Sequence, residues 1–298
     1  MDSAEVVSAF GLLIAICILA AASVLDIRTR KVGNRYWISM AAIGLALLPV
    51  WLAVDDERWE YLWIAVPILA ILSDVYWDAP QGSKLDKYGP YVKYALAVVA
   101  IVILGYLWGK DPYFQHLLAV PIMMLVIVAL YMLDLIRGGA DAKALISLSV
   151  LFPFYPQIAS MPLIHAETES ATVVFPFSFT ILVNAAIIVA LIVPFAFLLG
   201  NLFARDLRLP NSLFGRKVDV DAARNRHVWL MERMENGKHV VYTRPRRDED
   251  LGKELDLLKS AGVTKVWVTP KIPFILPMLA GLIVSAVFGN FLLLLFPF

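Results

Sequence analysis

Long apolar runs separated by short polar segments dominate the chain. A run that crosses a bilayer as a helix needs about 20 residues at 1.5 Å rise each. Eight runs are read on that basis, at residues 6–25, 36–54, 61–76, 91–108, 113–136, 142–155, 173–203 and 272–296; the third and sixth are the shortest. Between residues 204 and 271 the apolar runs stop. Within that stretch Asn236-Gly237 separates two strand-like runs, which is a hairpin signal. Acids followed by Leu251, Leu255 and Leu258 at helical spacing, Lys259 late and Gly262 at the stop predict a short helix. "VTKVWVTP" then closes as a strand, so a small ββαβ module is expected. The predicted fold is an all-α polytopic membrane protein of about eight transmembrane helices carrying a small α+β module. Its parts are a transmembrane core at 1–203, a soluble module at 204–271 and a last helix at 272–298.

Composition agrees with the pattern. Hydrophobic residues make up 60% of the 298, charged residues only 17%, and the mean hydropathy is +0.73, outside the range of a soluble domain. The two signs of charge are segregated. If the N-terminus lies outside, only Arg58 and Lys110 of the 26 lysines and arginines fall in external segments, which carry Asp55, Asp56, Glu57, Glu167 and Glu169 instead. The positive-inside rule therefore places the N-terminus outside and the 204–271 module in the cytoplasm. One span more or fewer before Arg137 would spoil that segregation. Asp2 and Glu5 precede the first run and the cations follow it, so a cleaved signal peptide is not expected.

Cys17 is the single cysteine, which excludes an intrachain disulfide and a cysteine zinc cluster. His116, His165, His227 and His239 show no ligand spacing, so neither a metal nor another cofactor is expected, and no nucleic-acid partner is implied. With no GxSxG elbow and no HExxH motif, the remaining chemistry lies in carboxylates. Asp26, Asp74, Asp78, Asp134 and Asp141 all fall near one set of span ends. A carboxylate at a membrane rim is either solvated, paired or functional. Asp134 has Arg137 three residues on and can pair with it; Asp74 and Asp78 face the Lys84 and Lys87 loop.

Two acids stand apart. Asp26 ends the first run and is followed by Arg28, Arg30, Lys31 and Arg35. Asp141 lies in "RGGADAKAL", where Gly138 and Gly139 either admit an extended peptide beside the carboxylate or simply break the chain before an N-cap. Both aspartates reach the same membrane face and can meet if spans one and six pack. Two carboxylates at hydrogen-bond distance share a proton, so that one activates water while the other donates to a substrate carbonyl.

These residues resemble the GxGD-type membrane aspartyl proteases, and within them the archaeal type IV prepilin and preflagellin peptidases. The resemblance rests on "DIRTRKVGN" from Asp26 to Asn34, "GGADAK" from Gly138 to Lys143, and "TPKIPFILPMLAGLI" from Thr269 to Ile283. Ala140 stands where GxGD has its second glycine, and the bacterial branch's cysteine pairs are missing. The spacing between the aspartates is about two spans longer than in six-span members. What the resemblance implies is catalysis by Asp26 and Asp141, with Gly138, Gly139 and Lys143 shaping or supporting the cleft. The implied substrate is a prepilin or preflagellin (archaellin) precursor whose class III signal peptide, a positively charged leader before a hydrophobic helix, is cut at the cytoplasmic face of the cell membrane. Two other classes stay open: a proton-coupled transporter using the same acids as a relay, and a membrane scaffold whose module binds a partner and in which both aspartates are dispensable. The absence of an internal repeat weighs against a transporter built from inverted repeats.

Overall fold

A computed structural model describes residues 2–77, 80–136, 138–164, 169–243 and 250–291; Asp78, Arg137, His165, Glu167 and the end of the last apolar run lie outside them. In chain order the elements are α1 (Ser3–Thr29), α2 (Asn34–Val54), a 3-10 turn (Trp59–Ile64) leading into α3 (Ala65–Tyr76), α4 (Lys84–Trp108), α5 (Pro112–Met132), α6 (Gly139–Leu151), α7 (Glu169–Val174) and α8 (Phe177–Phe203). They continue with β1 (Arg216–Asp219), α9 (Val220–Arg224), β2 (Val228–Leu230), β3 (Glu232–Glu235), β4 (Lys238–Val241), α10 (Leu251–Ser260), β5 (Lys265–Pro270) and α11 (Ile275–Phe288). The chain divides into two compact units: Met1–Ala186 with Pro273–Phe298, and Ile187–Ile272.

The mostly helical architecture with a β-containing module is the expected one, and the protein is a membrane protein. Among the described residues, six segments are long and apolar enough to cross a membrane, ending with Phe177–Phe203. The eight expected spans become these six, one shorter apolar helix, α11, and the 13-residue α6. α6 has 13 residues, because Pro153 disfavours helical backbone at Phe152, which adopts φ −122° and ψ 78°. The expected seventh run is cut into α7 and α8 at Pro176 for the same reason. α11 stops at Gly289, whose φ of +88° no regular helix continues through. α1, by contrast, runs one turn further than its apolar stretch, so Asp26 lies inside its last turn.

In the first unit α6 packs chiefly against α2 and α5, and α1 against α2 and α11. Trp37, Tyr61, Phe114 and Phe177 are fully buried between them. The α2–α6 approach is backbone to backbone: a Cβ at Gly44 would lie 2.7 Å from Leu151 Cα and N. Gly44→Ala must therefore push two helices apart, and a loss of about 1–3 kcal/mol is expected, read as a lowered thermal midpoint in detergent. An unchanged midpoint would contradict the close approach. α11 is seated on α8 by a similar contact at Gly281 and by polar groups: buried Asn184 Nδ2 donates to Ser285 Oγ (2.9 Å) and to the Gly289 carbonyl (2.8 Å). Such bonds between membrane helices contribute about 0.6 kcal/mol each.

The second unit holds the sheet. β5 lies between β1 and β2, antiparallel to both, with Trp267 opposite Lys217 and Thr269 opposite Trp229. β3 and β4 form the expected hairpin, where Asn236 (φ 49°) and Gly237 (φ 75°) make the primed turn that the twist of two strands favours. Leu255 and Leu258 of α10 pack on Val266 and Val268 of β5. The module is richer than ββαβ. The run before Asn236 splits at Met231 into β2 and β3, which join different sheets, and β1 and α9 are added upstream. Strands of three or four residues carry too few alternations to be read from sequence.

Candidate active site

The site is built at the end of α1 and the start of α6. α1 terminates because Arg30 turns left-handed at φ 57°, its N–H closing on the Asp26 carbonyl at 3.1 Å. Thr29 Oγ1 fixes the turn by donating to the Leu25 carbonyl (2.9 Å). Gly33 caps α2, so Asp26 and Asn34 flank one tight connection.

On the other side, Gly138 is the N-cap of α6 and Asp141 lies in the first turn, not at the cap position itself. The Asp141 side chain folds back over Gly138. A Cβ there would fall on the carboxylate, 2.7 Å from Cγ and closer still to Oδ2. Gly139 faces Tyr131 of α5, whose hydroxyl would be 3.4 Å from an added Cβ. Glycine at 138 is thus required by the carboxylate, whereas 139 has room for a methyl group.

Asp26 and Asp141 are both half-buried, and they are near enough for their negative charges to repel one another. Arg30 supplies an opposing attraction to Asp26. The expected route to this meeting was direct packing of spans one and six, but α6 packs chiefly on α2, and α1 packs on α11 and α2. α1 meets the far end of α6 at Gly11, where a Cβ would lie 3.2 Å from the Phe152 ring. The antiparallel run of the two helices then returns Asp26 to the level of Asp141.

Lys143 ties the two sequence motifs together. Its Nζ donates to Asn34 Oδ1 (3.0 Å) and sits over the Tyr76 ring, 5.7 Å from the centroid. The Tyr76 hydroxyl donates to the Lys143 carbonyl (3.2 Å) and pairs with Ser147 Oγ (2.7 Å), which in turn donates to the Trp37 carbonyl (2.9 Å). α2, α3 and α6 are pinned at one level by this network. Asn34 is inside the first motif and could have been singled out as a side-chain amide beside two glycine-bounded turns. Tyr76 and Ser147 carry no sequence signal, because aromatic and hydroxyl residues at span ends are common.

The other acids part company with the site. Asp74 pairs with Lys93 at 3.4 Å rather than with Lys84 or Lys87, which begin α4, because Lys93 lies about two and a half turns into α4 beside α3. The partner expected for Asp134, Arg137, lies outside the described residues. Among the described residues no group of three or more His, Cys, Asp or Glu is placed to hold a metal ion.

Residues 208–291 match the family described as Archaeal Peptidase A24 C-terminus Type II. An alignment with the preflagellin peptidase of Methanococcus maripaludis (strain C6) runs over 266 residues at 24% identity, covering 87% of this chain and 98% of that relative. The resemblance to the archaeal prepilin and preflagellin peptidases holds. The family match spans the sheet module and α11, so it extends the likeness from the two aspartate motifs to the region that carries neither. The pairwise alignment covers nearly the whole relative.

If Lys143 aligns the two aspartate-bearing turns through Asn34, removing either end has the same consequence. Lys143→Met and Asn34→Ala are each expected to slow turnover about tenfold, and the double variant no further. Additive losses in a double-mutant cycle would show that the two side chains act separately.

Proposed function

We propose that the chain is a membrane aspartyl endopeptidase that removes the positively charged leader from prepilin- or preflagellin-like precursors at the cytoplasmic face of the membrane. The observation that carries the reading is the approach of Asp26 and Asp141 from two distant motifs to one level, in a chain similar to a preflagellin peptidase. The relay alternative expects carboxylates midway along helices, whereas these two occupy terminal turns.

The chemistry follows from the pair. Mutual repulsion favours a state in which the two carboxyls hold one proton between them. The ionised member takes a proton from a water held between them, and the oxygen of that water attacks the scissile carbonyl. The protonated member donates to the carbonyl oxygen, giving a neutral tetrahedral diol. Collapse of the diol breaks the C–N bond, with a proton passed to the leaving nitrogen. Protons balance over the cycle and the dyad returns to its starting state. Gly138, lacking a side chain, leaves room for the Asp141 carboxylate to fold back over the start of α6.

A leader is cut where a charged segment meets an apolar helix, and a dyad at helix ends suits that junction. The test is co-expression with a leader-bearing precursor, followed by intact-mass measurement of the product. Loss of the leader by a single cut before the hydrophobic segment is expected. Precursor that stays full length beside folded protein would overturn the proposal.

A further inference from the structure

Just beyond α8 the chain reads Arg205-Asp206-Leu207-Arg208-Leu209-Pro210, and this stretch is built into a cavity. Asn201, buried in the last turn of α8, donates its amide to the carbonyls of Ser212 (3.1 Å) and Gly215 (2.8 Å). The buried Ser212 hydroxyl accepts the Arg208 N–H (2.8 Å). The loop is therefore fixed against the helix end, and its two arginines are held in place at the backbone.

Arg205 and Arg208 join Lys217 of β1, Lys265 of β5 and His239 of β4 around a cavity of about 310 Å3. Its floor is Glu232 and Trp267, both buried. The Glu232 carboxylate is already engaged: one oxygen accepts the Trp267 N–H and the other meets His239 Nε2. Asp206 lies 3.9 Å from Lys217. Four lysines and arginines thus face two acids, and both acids are partnered within the cavity. The surplus is positive and calls for an anion.

The surroundings say which kind. Leu202, Phe203, Leu207 and Leu209 are 55%, 82%, 50% and 62% exposed, at the end of a 27-residue apolar helix. Exposed apolar side chains interleaved with arginines at such a helix end match the layer where acyl chains give way to headgroups. A basic cluster directly beyond a membrane helix attracts anionic lipid by about 1 kcal/mol per cation, roughly fivefold in affinity.

We propose that this cavity binds the phosphate of an anionic phospholipid headgroup, with Arg205, Arg208 and Lys265 as its ligands and Leu207 and Leu209 against the acyl chains. The site belongs to the second unit alone and does not depend on the protease reading.

The full-length protein in neutral detergent is titrated with phosphatidylglycerol and with phosphatidylcholine, and retained lipid is counted by native mass spectrometry. One phosphatidylglycerol is expected to be held on the order of 100-fold more tightly than phosphatidylcholine. Arg205→Gln/Arg208→Gln/Lys265→Gln should abolish that preference, and the single changes Arg205→Gln and Arg208→Gln should each weaken it about fivefold. Arg205→Lys/Arg208→Lys should keep it, which separates lost charge from lost folding. Leu207→Ser/Leu209→Ser should weaken lipid retention while leaving binding of inorganic phosphate unchanged. Equal retention of the two lipids, or a preference that survives the triple change, would overturn the site. Inorganic phosphate that displaces the lipid at equal concentration would instead make a soluble anion the occupant and overturn the lipid assignment.

Discussion

Asp26→Asn and Asp141→Asn are each expected to reduce cleavage of a leader-bearing precursor by at least about 10³-fold, with the thermal midpoint unchanged or raised. Asparagine keeps the shape of the side chain but can neither take a proton from water nor hold one for the substrate carbonyl. Because the two carboxyls work as one unit, the double variant should be no worse than either single one. The midpoint follows from the cost of keeping two ionisable carboxyls close together in a half-buried site, which either change removes. Cleavage is read as the mass of the precursor over time in membranes. Either variant retaining a tenth of the normal rate would sink the dyad, and a lowered midpoint in both would point to a structural role.

Gly138→Ala is expected to cost about 100-fold in turnover, close to 2.7 kcal/mol of transition-state stabilisation. The added Cβ falls where the Asp141 carboxylate now lies. The carboxylate is the end of a rotatable side chain, so it can swing away and leave the fold intact while losing its place opposite Asp26. Gly139→Ala is the matched control. Its Cβ would meet the Tyr131 hydroxyl at 3.4 Å, an ordinary contact, so turnover should stay within about threefold of the parent. The comparison is made on initial cleavage rates of one precursor, with melting curves for both proteins. Equal losses in the two variants would mean that backbone freedom at the glycine pair matters, and not the position of Asp141.

Much of the architecture is readable in the chain because membrane helices announce themselves by composition: α1, α2, α4 and α5 fall on their apolar runs, with ends moved by caps such as Ser83, whose Oγ accepts the Asp86 N–H (3.0 Å). The boundaries that went astray share a cause. Hydropathy is blind to Pro153 and Pro176, which end or break helices through a missing N–H and a clash with the preceding turn, so α6 came out shorter and α7 separate. In the module, Asn236-Gly237 and the α10 leucines were legible because turns and amphipathic helices are local. β1 was not, since Arg216–Asp219 has little to distinguish it until it pairs with β5.

The candidate site divides in the same way. Asp26 and Asp141 stand out in sequence because an acid beside an apolar run is costly, and their motifs carry the resemblance. Their approach is a tertiary fact, for it depends on α2 lying between α1 and α6 at a depth set by Gly44 against the backbone of Leu151. The Lys143–Asn34 bond and the Tyr76–Ser147 pair are tertiary as well, each joining residues at least 71 positions apart, apart from the 67-residue span back to the Lys143 carbonyl. The basic cavity is a further case: Arg205, Arg208, Lys217 and Lys265 are scattered cations until the sheet folds. Sequence by itself determined the membrane class, the short-range turns and helices, and which carboxylates are candidates, because those depend on neighbours along the chain. Only the tertiary structure decided what those carboxylates and cations face, because charge and packing act through distance in space.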